Sequence, residues 1–220
     1  MKMVELRSIL ERTLQSMPAH ADELRKLDAA LGDGDLGITV SAGSSASREA
    51  IFALPQSADA SELLMAVGKA FSTANPSTFA ALIGGGLLAA AKTVHGNTAL
   101  DRADAIAIGD AVATRIAERG KAQLGDKTVL DALIPSLENL RGNRLGSPDS
   151  PNPSDSPAPD AAEVLDAMIA TSHAQIDATT GLQSAKGRAA WVQERSVGHP
   201  DPGAVAYLRF LQELRTHWSR

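Results

Sequence analysis

Cysteine is absent from the 220 residues, which rules out a disulfide framework and thiolate chemistry. Aromatic residues make up 3% of the chain while alanine is abundant; small side chains let helices approach closely and give a β core little to pack. No basic excess exists either. Lys and Arg number 21 against 26 Asp and Glu, for a net charge of −5, and no run of five or more like charges occurs. A nucleic-acid surface would need the opposite balance. Nothing approaches the roughly 20 apolar residues of a membrane span. The longest apolar stretch, Phe79 to Ala91, is interrupted by Gly84, Gly85 and Gly86. The N-terminal MKMVELRSILERTLQSM carries charges every few residues and lacks the apolar core of a signal peptide. These absences predict one soluble, cytoplasmic domain over residues 1–220, with no membrane and no nucleic-acid partner.

What is present is helical periodicity. Val4, Ile9, Leu14 and Met17 recur at three-to-five-residue spacing, one apolar stripe. Further helices are predicted from about Ala19 to Ala30, from the glycines at 32–37 to about Ala53, and over Ser61–Ala70, Ser77–Thr93, Asp101–Arg119, Lys127–Leu140, Asp160–Thr179 and Pro202–Trp218. Ser77–Thr93 is apolar on nearly all sides, which predicts a central place in the core, and Pro135 is expected to kink or end its helix. No period-2 run signals a strand. Residues 142–160, dense in proline and serine, read as an extended surface loop.

Three clusters carry chemistry. In LDAALGDGDLG, Asp28 stands at a helix end and glycines allow a tight turn that returns Asp33 and Asp35 towards it. Three carboxylates repel one another unless a cation compensates them, and hard cations such as Mg²⁺ prefer such oxygens. The same residues also suit a Gly-Asp turn whose aspartates cap the next helix. No Glu stands where an EF-hand needs one. In Gly125-Asp126-Lys127-Thr128 the alternative to a site is a capped helix start, with Asp126 as the cap. In GRAAWVQERSVGHPDPGA two arginines, two acids and several glycines crowd eighteen residues, although a solvated loop leading to a helix with Pro202 in its first turn has the same pattern. The phosphate-loop, H-E-x-x-H and G-x-S-x-G motifs are absent.

Taken in order, LDAALGDGDLG, a glycine-containing apolar helix, GDKTVLDALIP and GRAAWVQERSVGHPDPGA resemble the nucleotide-binding L subunit (DhaL, or Dak2 domain) of dihydroxyacetone kinases, from about residue 20 to 215. The resemblance implies an all-α fold, a closed up-and-down barrel of about eight antiparallel helices, with nucleotide at one end. It implies Asp28, Asp33 and Asp35 as ligands of two Mg²⁺ ions bridging the phosphates, with Arg188 joining them in catalysis. It implies nucleotide contacts at Leu36, Gly37, Ile38, Thr39, Ser77, Thr78, Gly125, Arg188, Asp201, Pro202 and Gly203. Two departures stand out. Leu36 replaces the family's usual histidine, and Asn75-Pro76-Ser77-Thr78-Phe79 replaces a glycine-rich phosphate turn.

The function so implied is phosphoryl transfer to dihydroxyacetone or a related short ketose held by a separate K-type subunit, since 220 residues leave room for the L part alone. The donor is ATP, or a tightly bound ADP rephosphorylated by a phosphotransferase-system phosphocarrier. The alternative is a nucleotide-responsive regulatory module that catalyses nothing.

Overall fold

A computed structural model describes residues 1–142 and 160–218. Most of the predicted Pro/Ser loop at 142–160 therefore lies outside the described residues. Among them run nine α-helices: α1 (Met3–Ser16), α2 (Ala21–Leu31), α3 (Leu36–Ala53), α4 (Ala60–Ala74), α5 (Thr78–Ala90), α6 (Arg102–Gly120), α7 (Val129–Arg141), α8 (Ala161–Thr180) and α9 (Pro202–Trp218). Short 3₁₀ segments lie at Met17–His20, Ala91–Val94 and Arg188–Ser196. No strand occurs among the described residues, only an isolated bridge between Lys2 and Ala99.

The helix boundaries follow from local chemistry. Asp59, Asp101, Thr128 and Asp160 each open a helix by accepting a first-turn N–H, with an acid three positions into the helix returning the bond. Ser77 caps α5. Lys121 closes α6 in the left-handed region at φ 50° and Gly142 closes α7 at φ 81°. Two expectations change. Thr128, not Asp126, caps α7; the Asp126 carboxylate instead accepts from the Gln123 N–H at 2.9 Å. Pro135 lies inside α7 without ending it.

Each helix from α3 onward packs against the next, and α9 returns to α1, so the layer closes on itself as an all-α barrel with α2 against α3 and α9 at one end. Arg12 of α1 donates to the His217 carbonyl of α9 (3.3 Å) and His20 meets Glu213 at 2.8 Å, joining first and last elements. The core fills the barrel in three clusters, around Leu24, Leu36 and Leu208, around Ile116, Leu130 and Leu211, and around Ile51 and Leu63. α5 is not central in this arrangement. It buries Ala80, Gly84, Gly86 and Ala90 against its neighbours, while Leu88 faces solvent at 41% exposure. In a closed ring every helix has an outer face, so apolarity all round does not place a helix in the middle.

Candidate functional site

Alternation of the helices brings four connections to one end of the barrel: α2–α3, α4–α5, α6–α7 and α8–α9. The first carries the aspartates. Asp28 lies in the last turn of α2, and the chain leaves the helix at Gly32, whose N–H still bonds the Asp28 carbonyl at 2.6 Å. Gly34 adopts φ 75°, a left-handed conformation that glycine takes without strain, and turns Asp33 and Asp35 back. The result places ligand atoms of Asp28, Asp33 and Asp35 within 4.8 Å of one another. Burial, and then the charge of Asp28, raise the Asp35 carboxyl above its ordinary range. Three hard oxygen donors this close, one of them disfavoured as a carboxylate, fit a site for Mg²⁺.

Around this triad the other connections supply cations and backbone donors. Arg188 pairs with Asp33 and stands 3.9 Å from Asp35. Its arm leaves a groove of about 460 Å³ beside Asp33, edged by Trp191, Val192 and Arg195. α3 begins directly after Asp35. Its first N–H, from Leu36, donates to the Asp28 carboxylate at 3.2 Å, and the next two, of Gly37 and Ile38, precede the first intrahelical bond from Thr39 to the Asp35 carbonyl. On the α4–α5 turn the Asn75 amide donates to Thr39 Oγ1 at 2.9 Å, which donates to Ser77 Oγ at 3.3 Å. Asp201 caps α9 through the Ala204 N–H at 2.7 Å. Burial raises its carboxyl to about 7; the Ala204 N–H and Lys127 oppose this, and Asp131 and Asp28 add to it.

A family model of the DAK2 domain matches residues 30–216. The chain belongs to the DAK2-domain family. It is 33% identical over 189 residues to the ADP-binding subunit DhaL of a PEP-dependent dihydroxyacetone kinase from Listeria innocua serovar 6a, covering 83% of this chain and 80% of that one. It is 30% identical over 206 residues to the triokinase/FMN cyclase of Homo sapiens, covering 94% of this chain. The dihydroxyacetone kinase of C. freundii, solved with AMP-PNP and Mg²⁺, superposes with a TM-score of 0.69 at 21% identity over 96% of this chain, and shares the fold. This DAK2 chain spans about a third of the length of the triokinase and of the C. freundii kinase.

Burial sorts the residues that this DAK2 chain's sequence singled out. Leu36 and Thr39 are 4% and 0% exposed, so Leu36 points into the core and only its backbone faces Asp28. A Cβ on Gly37 would lie 2.0 Å from the Ala21 carbonyl oxygen; glycine is required there for α3 to pass this close. Ile38 is exposed, at 59%. Ser77 joins Thr39, whereas Thr78 faces solvent. Gly125, at φ 90° with open space around it, has its N–H held by Asp131 at 2.6 Å. Pro202 is buried, and a Cβ on Gly203 would meet Phe79 at 3.2 Å.

Sequence reasoning gave no role to Lys127, Asp131 or Asn75. Asp131 is 4% exposed and accepts from the N–H groups of Gly125 and Thr128. Thr128 followed three residues later by an acid is the signal that marks its capping part; nothing local marks the rest.

Proposed function

We propose that this chain is the nucleotide-holding subunit of a dihydroxyacetone-type kinase. It holds ATP, or a tightly bound ADP rephosphorylated by a phosphotransferase-system phosphocarrier, and passes a phosphoryl group to a short ketose on a separate K-type subunit in the cytoplasm. The observation that carries the reading is the convergence of Asp28, Asp33, Asp35 and Arg188 at the first turn of α3.

Asp28, Asp33 and Asp35 are the residues that would hold two Mg²⁺ ions, which, when bound, neutralise phosphate charge. The Gly37 and Ile38 amides at the start of α3 offer donors to phosphate oxygens. Arg188 offers a planar guanidinium that suits the same oxygens, and Ser77 and Gly125 complete the rim. With Mg²⁺ bound, the three carboxylates would be committed to the cations and none of these groups would be free to take a proton from an acceptor hydroxyl. Activation of the ketose therefore falls to the partner. The relatives support this division, because the Listeria innocua relative is named an ADP-binding subunit and the human and C. freundii ones are kinases about three times this chain's length.

Calorimetric titration of ADP and ATP, with and without Mg²⁺, on wild type and Asp35→Ala tests the reading. We expect Mg²⁺-dependent binding in wild type and a loss of at least about tenfold in the variant, the scale of one charge-assisted interaction. Affinity for either nucleotide that is equal with and without Mg²⁺, and in wild type and variant alike, would remove the metal-bridged site. Transfer to dihydroxyacetone on addition of a K-type subunit separates an enzyme subunit from a regulator that only binds.

A further inference from the structure

Among the described residues Lys127 is the largest of the fully buried side chains, 1% exposed, on a backbone at φ 60°. Its ammonium donates to three carbonyls: Thr180 at 3.0 Å, Leu182 at 2.8 Å and Ser196 at 2.7 Å. An ammonium has three hydrogens, so these bonds saturate it. None of its partners is a carboxylate. Burying a cation on carbonyls alone is costly, and burial lowers its proton affinity while Asp201 raises it. A lysine buried under such a penalty holds something in place.

What it holds is the connection between α8 and α9. Thr180 ends α8, and Ser196 ends the 3₁₀ segment that begins at Arg188. The same connection is sewn together around this point. The Ser184 N–H donates to Ser196 Oγ at 2.9 Å, and Ser196 Oγ donates to the Gln193 carbonyl at 2.6 Å. The Gly198 N–H donates to the Thr180 carbonyl at 2.9 Å, and the Ala185 N–H to the carbonyl of Asp126, the neighbour of Lys127. The backbone of Lys127 belongs to the Gly125–Thr128 turn that Asp131 fixes. One ammonium thus gathers both ends of the arm that carries Arg188 and fastens it to the turn that carries Gly125.

We propose that Lys127 is a positioning residue of the nucleotide site: its three carbonyl bonds hold the arm of residues 181–200 so that Arg188 lies over Asp33 and Asp35, and it touches no nucleotide itself. The inference rests on the nucleotide-holding role set out above, and it adds a residue whose effect passes through another.

A double-mutant cycle on Mg²⁺·ADP affinity tests it, using Lys127→Met, Arg188→Ala and the pair, measured by calorimetry well below the melting temperature of each. In the wild-type background Lys127→Met lowers affinity about tenfold, and in the Arg188→Ala background by less than about twofold, because coupled residues are non-additive. A lysine that served stability alone would lower the melting temperature and leave the affinity of the folded protein unchanged. That result, or equal losses in both backgrounds, overturns the proposal. Should Lys127→Met fail to fold, Ser196→Ala decides by the same cycle, since it loosens the same arm without removing a buried charge; additivity with Arg188→Ala then overturns it. Wild type that binds no nucleotide would instead sink the underlying reading, and this one with it.

Discussion

Gly84 and Gly85 are neighbours in α5, yet the structure assigns them opposite responses to the same substitution. A Cβ on Gly84 would lie 2.6 Å from the Gly68 carbonyl oxygen and 2.6 Å from the Ser72 Cβ, both on α4. A Cβ on Gly85 would meet nothing within 4 Å. Either change to alanine gains about 1 kcal/mol of helix propensity, so the comparison cancels that contribution. Gly85→Ala keeps the gain, raising stability by about 0.5–1 kcal/mol. Gly84→Ala must also push α4 and α5 apart, and overpacking of this kind costs about 1–3 kcal/mol. The obstacle is backbone, which cannot swing aside like a flexible side chain. The two variants should therefore differ by about 1–3 kcal/mol, or roughly 2–12 °C in melting temperature for a chain of this size. Thermal and urea unfolding of both variants alongside wild type measures it. Equal shifts, or Gly84→Ala the more stable, would refute the close approach of α4 and α5.

Two further outcomes follow from buried charge. Arg7 is 7% exposed and donates to the carbonyls of Ile51 at 2.9 Å, Leu54 at 2.9 Å and Pro55 at 2.7 Å, closing the end of α3. Arg7→Met leaves the Leu54 carbonyl without its donor and removes a charged donor from the Ile51 and Pro55 carbonyls, which keep the N–H groups of Leu54 and Ala58. It should cost about 1–3 kcal/mol in urea unfolding, and a loss under about 0.5 kcal/mol would contradict the assigned bonds. Asp201 supplies a pH dependence. Its folded-state carboxyl lies at about 7 against an ordinary 3.8, so between about pH 4 and pH 7 the unfolded chain releases a proton that the folded one keeps. Stability of the metal-free protein should fall as pH rises through that window, by on the order of a few kcal/mol, and level off above it. Asp201→Asn should flatten the profile while keeping the helix cap, which asparagine also provides; an unchanged profile would assign the slope elsewhere.

Much of the fold was legible because helix ends are local events. Asp59, Asp101, Thr128 and Asp160 each sit three residues before an acid, and apolar spacing between caps gave the helices their extents to within a few residues. One helix end was misread, with Asp126 expected as the cap that Thr128 provides; the other failure was of placement. α5 is apolar all round yet lies in the wall of the ring, because uniform apolarity fixes no direction.

The three aspartates show where the division falls. Their spacing across a helix end and a glycine turn settled from sequence alone that Asp28, Asp33 and Asp35 are able to meet, since only seven peptide units separate the first from the last. Whether they cap a helix or face a cation depends on what else reaches them, and closure of the barrel decided that Arg188 does. Ring closure set Arg188 against Asp33 and buried Lys127 beneath the arm that carries it. It also turned Leu36 into the core and pressed Gly37 against the Ala21 carbonyl. No local pattern encodes such pairings. A lysine between an aspartate and a threonine reads as solvated until residues more than fifty positions away supply the carbonyls that hold it.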